Sequence, residues 1–405
     1  MRKTRISKQK IILVLACAVL LLVAFILALI RSGMIRRQES QQMAERWSKD
    51  GDVAQVSCFF SRDEGMTRDR LIAFEHKLDE VLQEASITLE SENPGARLWT
   101  SAYSAQASML AATDTTSMNV KVIGVGGDFF RFHPQKLRYG NYFYESDLNQ
   151  DYVVIDEEIA WQLFGGINVP GKVIEVNGKQ HVVAGVIKRP QGAMEKQAGL
   201  ANPILYLSYE SYQKLGGTEP INHYEIVMSN PIKNFAMDTV KKNIGADDNE
   251  TEFIQNTDRF SYVNGLKHFK GFAYRSMNGK AIIYPYWENI ARGMEDILAF
   301  LTLIVVICIA VPALITAIWL IYRWKHKKWT IKSVWEKIGM GLSRLKPRKK
   351  ESRKALIREL KAAEPKSTEP KAKEPGFKKS RSKKKGAENR TPISITFDDK
   401  EEKHE

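Results

Sequence analysis

Two stretches of the chain carry no polar rhythm at all. Residues 11–30 are consecutive apolar positions, and twenty residues at about 1.5 Å each match the roughly 30 Å hydrocarbon core of a bilayer. Residues 297–322 form a second such run, interrupted only by Thr302, Thr316 and Pro312. Both are expected to be transmembrane helices, because a soluble core helix of that length would show a polar stripe. Pro312 lacks the N–H that an inner turn needs and is expected to kink the second.

Between the runs the pattern is mixed. Residues 53–60 read as a strand. Thr67 then caps a helix to about Ala85, with Leu71, Phe74, Leu78, Val81 and Leu82 at helical spacing. The order recurs later: residues 224–228 read as a strand, and 234–244 as a helix with Phe235, Val240 and Ile244 inward. Two strand-helix units this far apart predict the split halves of one ferredoxin-like subdomain with a β-rich subdomain inserted. In the insertion, 120–125 and 153–155 are short β runs, and 157–164 is a helix ended by Gly165-Gly166. Residues 173–176 and 181–187 flank Asn177-Gly178, the pair that supplies the positive φ angles of a tight hairpin. The fold class is therefore an α+β domain between two transmembrane helices.

Charge changes the picture at the ends. The chain carries 61 Lys and Arg against 47 Asp and Glu, a net +14, which alone would suggest a nucleic-acid or membrane-surface protein. Residues 1–31 hold six basic and no acidic side chains, and 323–405 hold 27 basic and 12 acidic, so the 291 residues between carry −7. Basic flanks at Arg2, Lys3, Arg5, Lys8 and Lys10, and at Arg323, Lys325, Lys327 and Lys328, place both termini in the cytoplasm. Residues 1–10 are then a cytoplasmic N-terminus and 32–296 an extracytoplasmic domain. Too little apolar sequence precedes Cys17 for a lipoprotein signal, so an uncleaved anchor is expected. Cys17 and Cys308 lie in the spans, leaving Cys58 alone in the domain with no partner for an internal disulfide.

One ordered set of segments is recognisable. Gly127-Asp128-Phe129-Phe130, Tyr139-Gly140-Asn141-Tyr142-Phe143 and Val153-Val154-Ile155-Asp156-Glu157-Glu158-Ile159-Ala160 lead to Leu163-Phe164-Gly165-Gly166. Pro170-Gly171-Lys172, the Asn177-Gly178 turn, Val182 to Ile187 and Pro203-Ile204-Leu205-Tyr206 follow in turn. This set resembles the MacB-type periplasmic core domain, the extracytoplasmic insertion of ABC-transporter permeases of the MacB and FtsX type. The resemblance implies a non-catalytic membrane subunit whose domain binds a partner and passes its conformation across the membrane. An ABC ATP-binding subunit and a multi-span permease are the implied partners. Such permeases continue with three more membrane helices, whereas one follows here before a charged tail, so a complete permease is not expected. The alternative is an extracytoplasmic sensor or scaffold signalling through that tail.

Candidate chemistry is sparse. Gly166 to Lys172 fits the first seven positions of a phosphate-binding loop, but Val173 replaces the metal-binding hydroxyl and a strand follows. A turn entering the hairpin is the better reading. The seven histidines have no i, i+4 pair and no Cys partner, so zinc is not indicated, nor any other cofactor. Glu157-Glu158 suits the first turn of a helix. No catalytic constellation is present. The exposed hairpin residues Asn177, Gly178, Lys179 and Gln180 are the candidate partner-binding surface. Tyr284, Tyr286 and Trp287 read as an interfacial aromatic belt.

On the cytoplasmic side, Ile331, Val334, Trp335, Ile338, Leu342 and Leu345 recur at steps of three and four among basic residues. Residues 323–346 are thus expected to form a basic amphipathic helix attracted to anionic lipid. Residues 347–405 repeat Glu-Pro-Lys motifs and cannot bury a core, giving a disordered charged tail. The basic run 378–385 lacks aromatic or Gly-rich readout, so no nucleic acid is expected as a partner.

Overall fold

The computed structural model describes residues 8–48, 51–88, 96–271 and 281–326. All of them fall in one compact unit, Met1–His326. The expected amphipathic helix at 323–346, beyond its first residues, and the tail at 347–405 lie outside the described residues.

In chain order, helix α1 (Lys8–Arg36) is followed by a 3-10 turn (Glu39–Gln41), α2 (Met43–Trp47), β1 (Val53–Phe60), α3 (Arg68–Glu84), β2 (Trp99–Ala112) and β3 (Ser117–Gly127). Then come α4 (Phe129–Phe132), β4 (Lys136–Gly140), β5 (Tyr152–Asp156), α5 (Glu157–Phe164), β6 (Val173–Val176), β7 (Lys179–Lys188) and α6 (Ala193–Glu195). The chain continues through β8 (Ile204–Ser208), α7 (Tyr209–Lys214), β9 (His223–Ser229), α8 (Phe235–Asn243), β10 (Thr251–Gln255), α9 (Tyr262–Gly271) and α10 (Tyr286–His326).

The strands form one ten-stranded sheet in the order β10-β1-β9-β2-β3-β8-β5-β7-β4, with β6 paired to β2 and β7. Pairing is antiparallel except for β3 with β8 and β5 with β7. The sheet is covered on both faces, and side chains alternate between them at the two-residue period of a strand. Toward one face, Val56, Cys58 and Phe60 of β1 and Tyr224, Ile226 and Met228 of β9 meet Leu71, Phe74, Leu78 and Leu82 of α3, with Ala236 and Val240 of α8. Toward the other, Val227, Val154 and Tyr206 meet Phe129 and Phe132 of α4, Met43 of α2, and Tyr286 and Trp287 of α10. The foot of the last helix is therefore part of the domain's own core.

The local signals explain the elements. Thr67 caps α3 by accepting from the Arg70 N–H, and Asp156 caps α5 from Ile159 at 2.9 Å. Gly165 closes α5 at φ 71°, a left-handed position that favours glycine. Asn177 at φ 46° and Gly178 at φ 76° turn β6 into β7.

Helices α1 and α10 are each long and apolar enough to cross a membrane. They meet at Ala24, Val305 and Cys308, with Leu20, Leu27 and Ile304 alongside, small residues among large ones as close helix approach requires. The second helix begins eleven residues earlier than the apolar run predicted and continues unbroken through Pro312. Tyr286 and Trp287, each 4% exposed, are core residues. This corrects the reading of an interfacial belt: the aromatic pair fills the space between α4 and the sheet.

Candidate functional site at the foot of the spanning helices

Strands β1 and β9 carry polar residues on the face beneath α10: Gln55 and Ser57 on one, His223 and Glu225 on the other, all buried. Alternating polar positions ordinarily mark a solvent face, but here they converge on one carboxylate. Glu225 Oε1 accepts from Gln55 Nε2 at 3.2 Å, from Asn256 Nδ2 at 3.2 Å and from the Ser57 hydroxyl. Its Oε2 stands 3.0 Å from His133 Nε2 and 3.7 Å from His223 Nε2. Aromatic rings enclose the group: Trp287 lies 4.2 Å from the His133 ring and 5.2 Å from that of His223, and Phe59 stacks on His223 at 5.2 Å.

Two routes lead from Glu225 to the spanning helices. Toward α1, Gln55 Nε2 also donates to Ser40 O at 2.8 Å, and Gln55 Oε1 accepts from Met43 N at 2.8 Å, fixing the segment that follows the first helix. Toward α10, Asn256 Oδ1 accepts from Arg259 Nη1 at 3.3 Å, and Arg259 clasps both oxygens of Glu288 at 2.7 and 2.8 Å. Arg259 also reaches Glu295 at 2.5 Å and Gln41 at 2.9 Å. Arg292 holds Glu288 from the next turn at 2.8 Å. Burial opposes the charge on Arg259, but Glu288 and Glu295 outweigh it and hold the guanidinium above its already high pKa. A third contact joins the helices directly, since Arg31, just past the apolar run of α1, donates to Thr302 Oγ1 of α10 at 3.0 Å and to Phe260 O.

Burial alone would raise the Glu225 carboxyl, yet the imidazoles of His133 and His223 outweigh it and hold the group well below the carboxylate range. Burial lowers the pKa of His133 itself. The sign of the linkage follows. An unfolded chain protonates this histidine near pH 6.5 and the folded chain only at lower pH, so the folded state loses stability as pH falls below about 6.5. Thermal midpoints of the full chain in detergent should therefore drop from about pH 7 to 5.5, by at most about 1.4 kcal/mol per pH unit for the one proton. His133→Gln should flatten that slope, and an unchanged slope would take His133 out of the acid response.

His133, His223 and Glu225 are also the set, among the described residues, whose ligand atoms lie within 4.8 Å of one another as metal binding requires. His223 and Glu225 stand two apart on β9, and only the placing of that strand beside the loop after α4 brings His133 to them. The residues predicted as the partner surface sit elsewhere. Asn177, Gly178, Lys179 and Gln180 are exposed at the β6–β7 turn, where Asn177 exchanges hydrogen bonds with the Leu110 backbone and Lys179 Nζ donates to Lys214 O. Gly171 and Lys172 lead into β6 as a turn, with Lys172 N bonded to Val169 O at 3.0 Å. Arg259 and Glu288 gave no signal in the sequence, because a charged pair 29 residues apart resembles two solvated side chains.

A family model described as the MacB-like periplasmic core domain matches residues 15–246, more than half of the chain. It covers His133, His223 and Glu225 and stops short of Asn256, Arg259 and Glu288. An uncharacterized ABC transporter permease, YvrN of Bacillus subtilis (strain 168), is 32% identical over 100 residues. That stretch is 24% of this chain and 24% of the relative, so only about a quarter of the relative's length is spanned. The crystal structure of the extracellular domain of the noncanonic ABC-type transporter YknZ from Gram-positive bacteria is matched at 14% identity, over 49% of this chain and 99% of that one, with a TM-score of 0.35. The periplasmic region of MacB from Actinobacillus actinomycetemcomitans is matched at 15% identity, over 55% and 94%, with a TM-score of 0.36.

Proposed function

The chain belongs to the MacB-like periplasmic core domain family, and from that membership we propose that it is a membrane-anchored, non-catalytic component of ABC-transporter-permease type. In this reading residues 32–296 stand outside the cytoplasm, both termini lie inside, and the domain passes the state of a bound partner to α1 and α10. The basic flanks of both helices support the orientation. The strand order β10-β1-β9-β2, with α3 and α8 on one face, supports reading that end of the sheet as a split ferredoxin-like subdomain, with β3 to β8 as its insertion.

The observation that carries the proposal is the meeting of two buried hydrogen-bonded routes at Glu225, one from the foot of each spanning helix. In this reading a shift of β9 relative to its neighbours is passed along both routes to the helices. A partner would drive the change only by binding one arrangement more tightly than the other. The partners proposed are an ATP-binding subunit and a multi-span permease, with the hairpin Asn177, Gly178, Lys179 and Gln180 in the surface that docks the permease outside the cytoplasm. Anionic lipid is proposed for the basic segment 323–346, on its spacing of apolar and basic residues. The sensor alternative rests on the tail, and no described residue favours it.

Co-purification tests the proposal. A tagged chain extracted in mild detergent is expected to carry both transporter subunits. Lys179→Glu should lower their recovery several-fold without changing the thermal midpoint. Recovery of neither subunit by the unaltered chain would remove the transporter reading, whereas undiminished recovery by the variant would remove only the hairpin.

A further inference from the structure

Helix α9 presents Tyr262, Val263, Leu266 and Phe269 to the surroundings, with 43, 62, 39 and 41% of each exposed. Positions i, i+1, i+4 and i+7 share one helical face. A bare apolar stripe on so short a helix is unfavourable in water. Its position in the fold says what covers it.

Two independent contacts fix the level of α9 along the spanning helices. Gly265 lies against α10 so closely that a Cβ there would stand 3.2 Å from Thr302 Oγ1. Thr302 is inside the apolar run 297–322, while His268 one turn further on meets Asp296 just before that run, at 2.9 Å. On the other side, the Arg31 guanidinium lies 4.1 Å over the Tyr262 ring, and Arg31 follows directly on the last residue of the apolar run 11–30. Both helices thus put α9 at the boundary between hydrocarbon and headgroups. Neighbouring surface of α10 is apolar and open at the same level, with Ile297 39% and Phe300 58% exposed.

We infer that α9 is an interfacial helix whose apolar face is sunk into the extracytoplasmic leaflet, so that the bilayer itself is its partner. Tyr262 supplies an aromatic ring with a polar tip, suited to the headgroup level, and exposed Lys267, one turn after Val263, supplies a charge at the edge of the stripe whose long stem can reach the headgroups. The loop carrying Arg259 and Phe260 connects β10 to α9. The leaflet then acts as a second fixed point for the junction, besides the spanning helices.

The inference rests on α1 and α10 crossing the membrane, and the test separates the two. Single nitroxide labels at Val263→Cys, Leu266→Cys, Ile318→Cys and, as the water-facing control, at exposed Gln83→Cys on α3 would be placed in the full chain with Cys17 and Cys308 replaced. Cys58, with no exposed surface, stays in place. In nanodiscs of phosphatidylcholine and phosphatidylglycerol, collision with oxygen is compared with collision with a water-soluble nickel chelate. Val263 and Leu266 are expected to favour oxygen as Ile318 does, with a ratio several-fold above that of Gln83. If Ile318 favours oxygen while Val263 and Leu266 behave like Gln83, α9 is not in the leaflet. Shielding of both sites from both reagents would mean that a protein covers the stripe, and would equally overturn the inference. A nickel-accessible Ile318 would instead remove the spanning reading.

Discussion

Arg259→Met should destabilise the protein by about 3–5 kcal/mol, the cost of leaving one member of a buried ion pair without its partner. Only 4% of the Arg259 side chain and none of that of Glu288 is exposed, so water cannot take the lost contact's place. Glu295 would lose a partner in the same step. The measurement is the unfolding midpoint of the full chain in detergent. A second variant distinguishes pairing from mere packing: Arg259→Met combined with Glu288→Leu removes both charges and should recover part of the loss. If the double variant is less stable than the single one by the full cost of a second cavity, the pair is not acting as a unit.

Trp287→Ala carries an effect of similar size, about 3–5 kcal/mol, from transfer of a large ring plus the cavity it leaves. The indole touches Phe129 at 5.5 Å, Tyr286 at 5.0 Å and the two histidine rings, joining α4, β9 and the first turn of α10 in one cluster. Trp287→Phe keeps most of that contact and should cost clearly less. A belt tryptophan at the lipid surface would behave differently, its removal leaving the domain's midpoint nearly unchanged. The unfolding midpoints of these two variants therefore decide between core and belt.

Much of the fold was legible because local chemistry sufficed for it. Thr67, Asp156, Gly165 and Asn177-Gly178 are caps and turns that act over a few residues, and the two apolar runs need only length. β2 was not legible. Its sequence from Trp99 to Ala112 is rich in Ser and Ala, which have little strand preference, and the strand exists because β9 and β3 flank it. The start of α10 was hidden for a related reason. Glu288 and Arg292 lie four apart on one helical face and support a helix, but their charges made the stretch resemble a loop before the membrane. The junction was least legible of all. His223 and Glu225 alternate with Tyr224 and Ile226 as a half-exposed strand would, and nothing in that rhythm says that a helix foot will cover the polar face. Only the meeting of β1, β9, the loop after α4 and α10 turns separate polar residues into one network.

The claim that this network holds the spanning helix to the sheet is open to direct measurement by spin-label distances. Labels at Gln83→Cys on α3 and Ile318→Cys on α10, in the full chain in nanodiscs with Cys17 and Cys308 replaced, report the domain against the membrane helix. A single narrow distance distribution is expected in the otherwise unaltered protein, and a broad one once Arg259→Met cuts the route from Glu225 to Glu288. A distribution that stays equally narrow in the variant would contradict the account, as would one already broad without it.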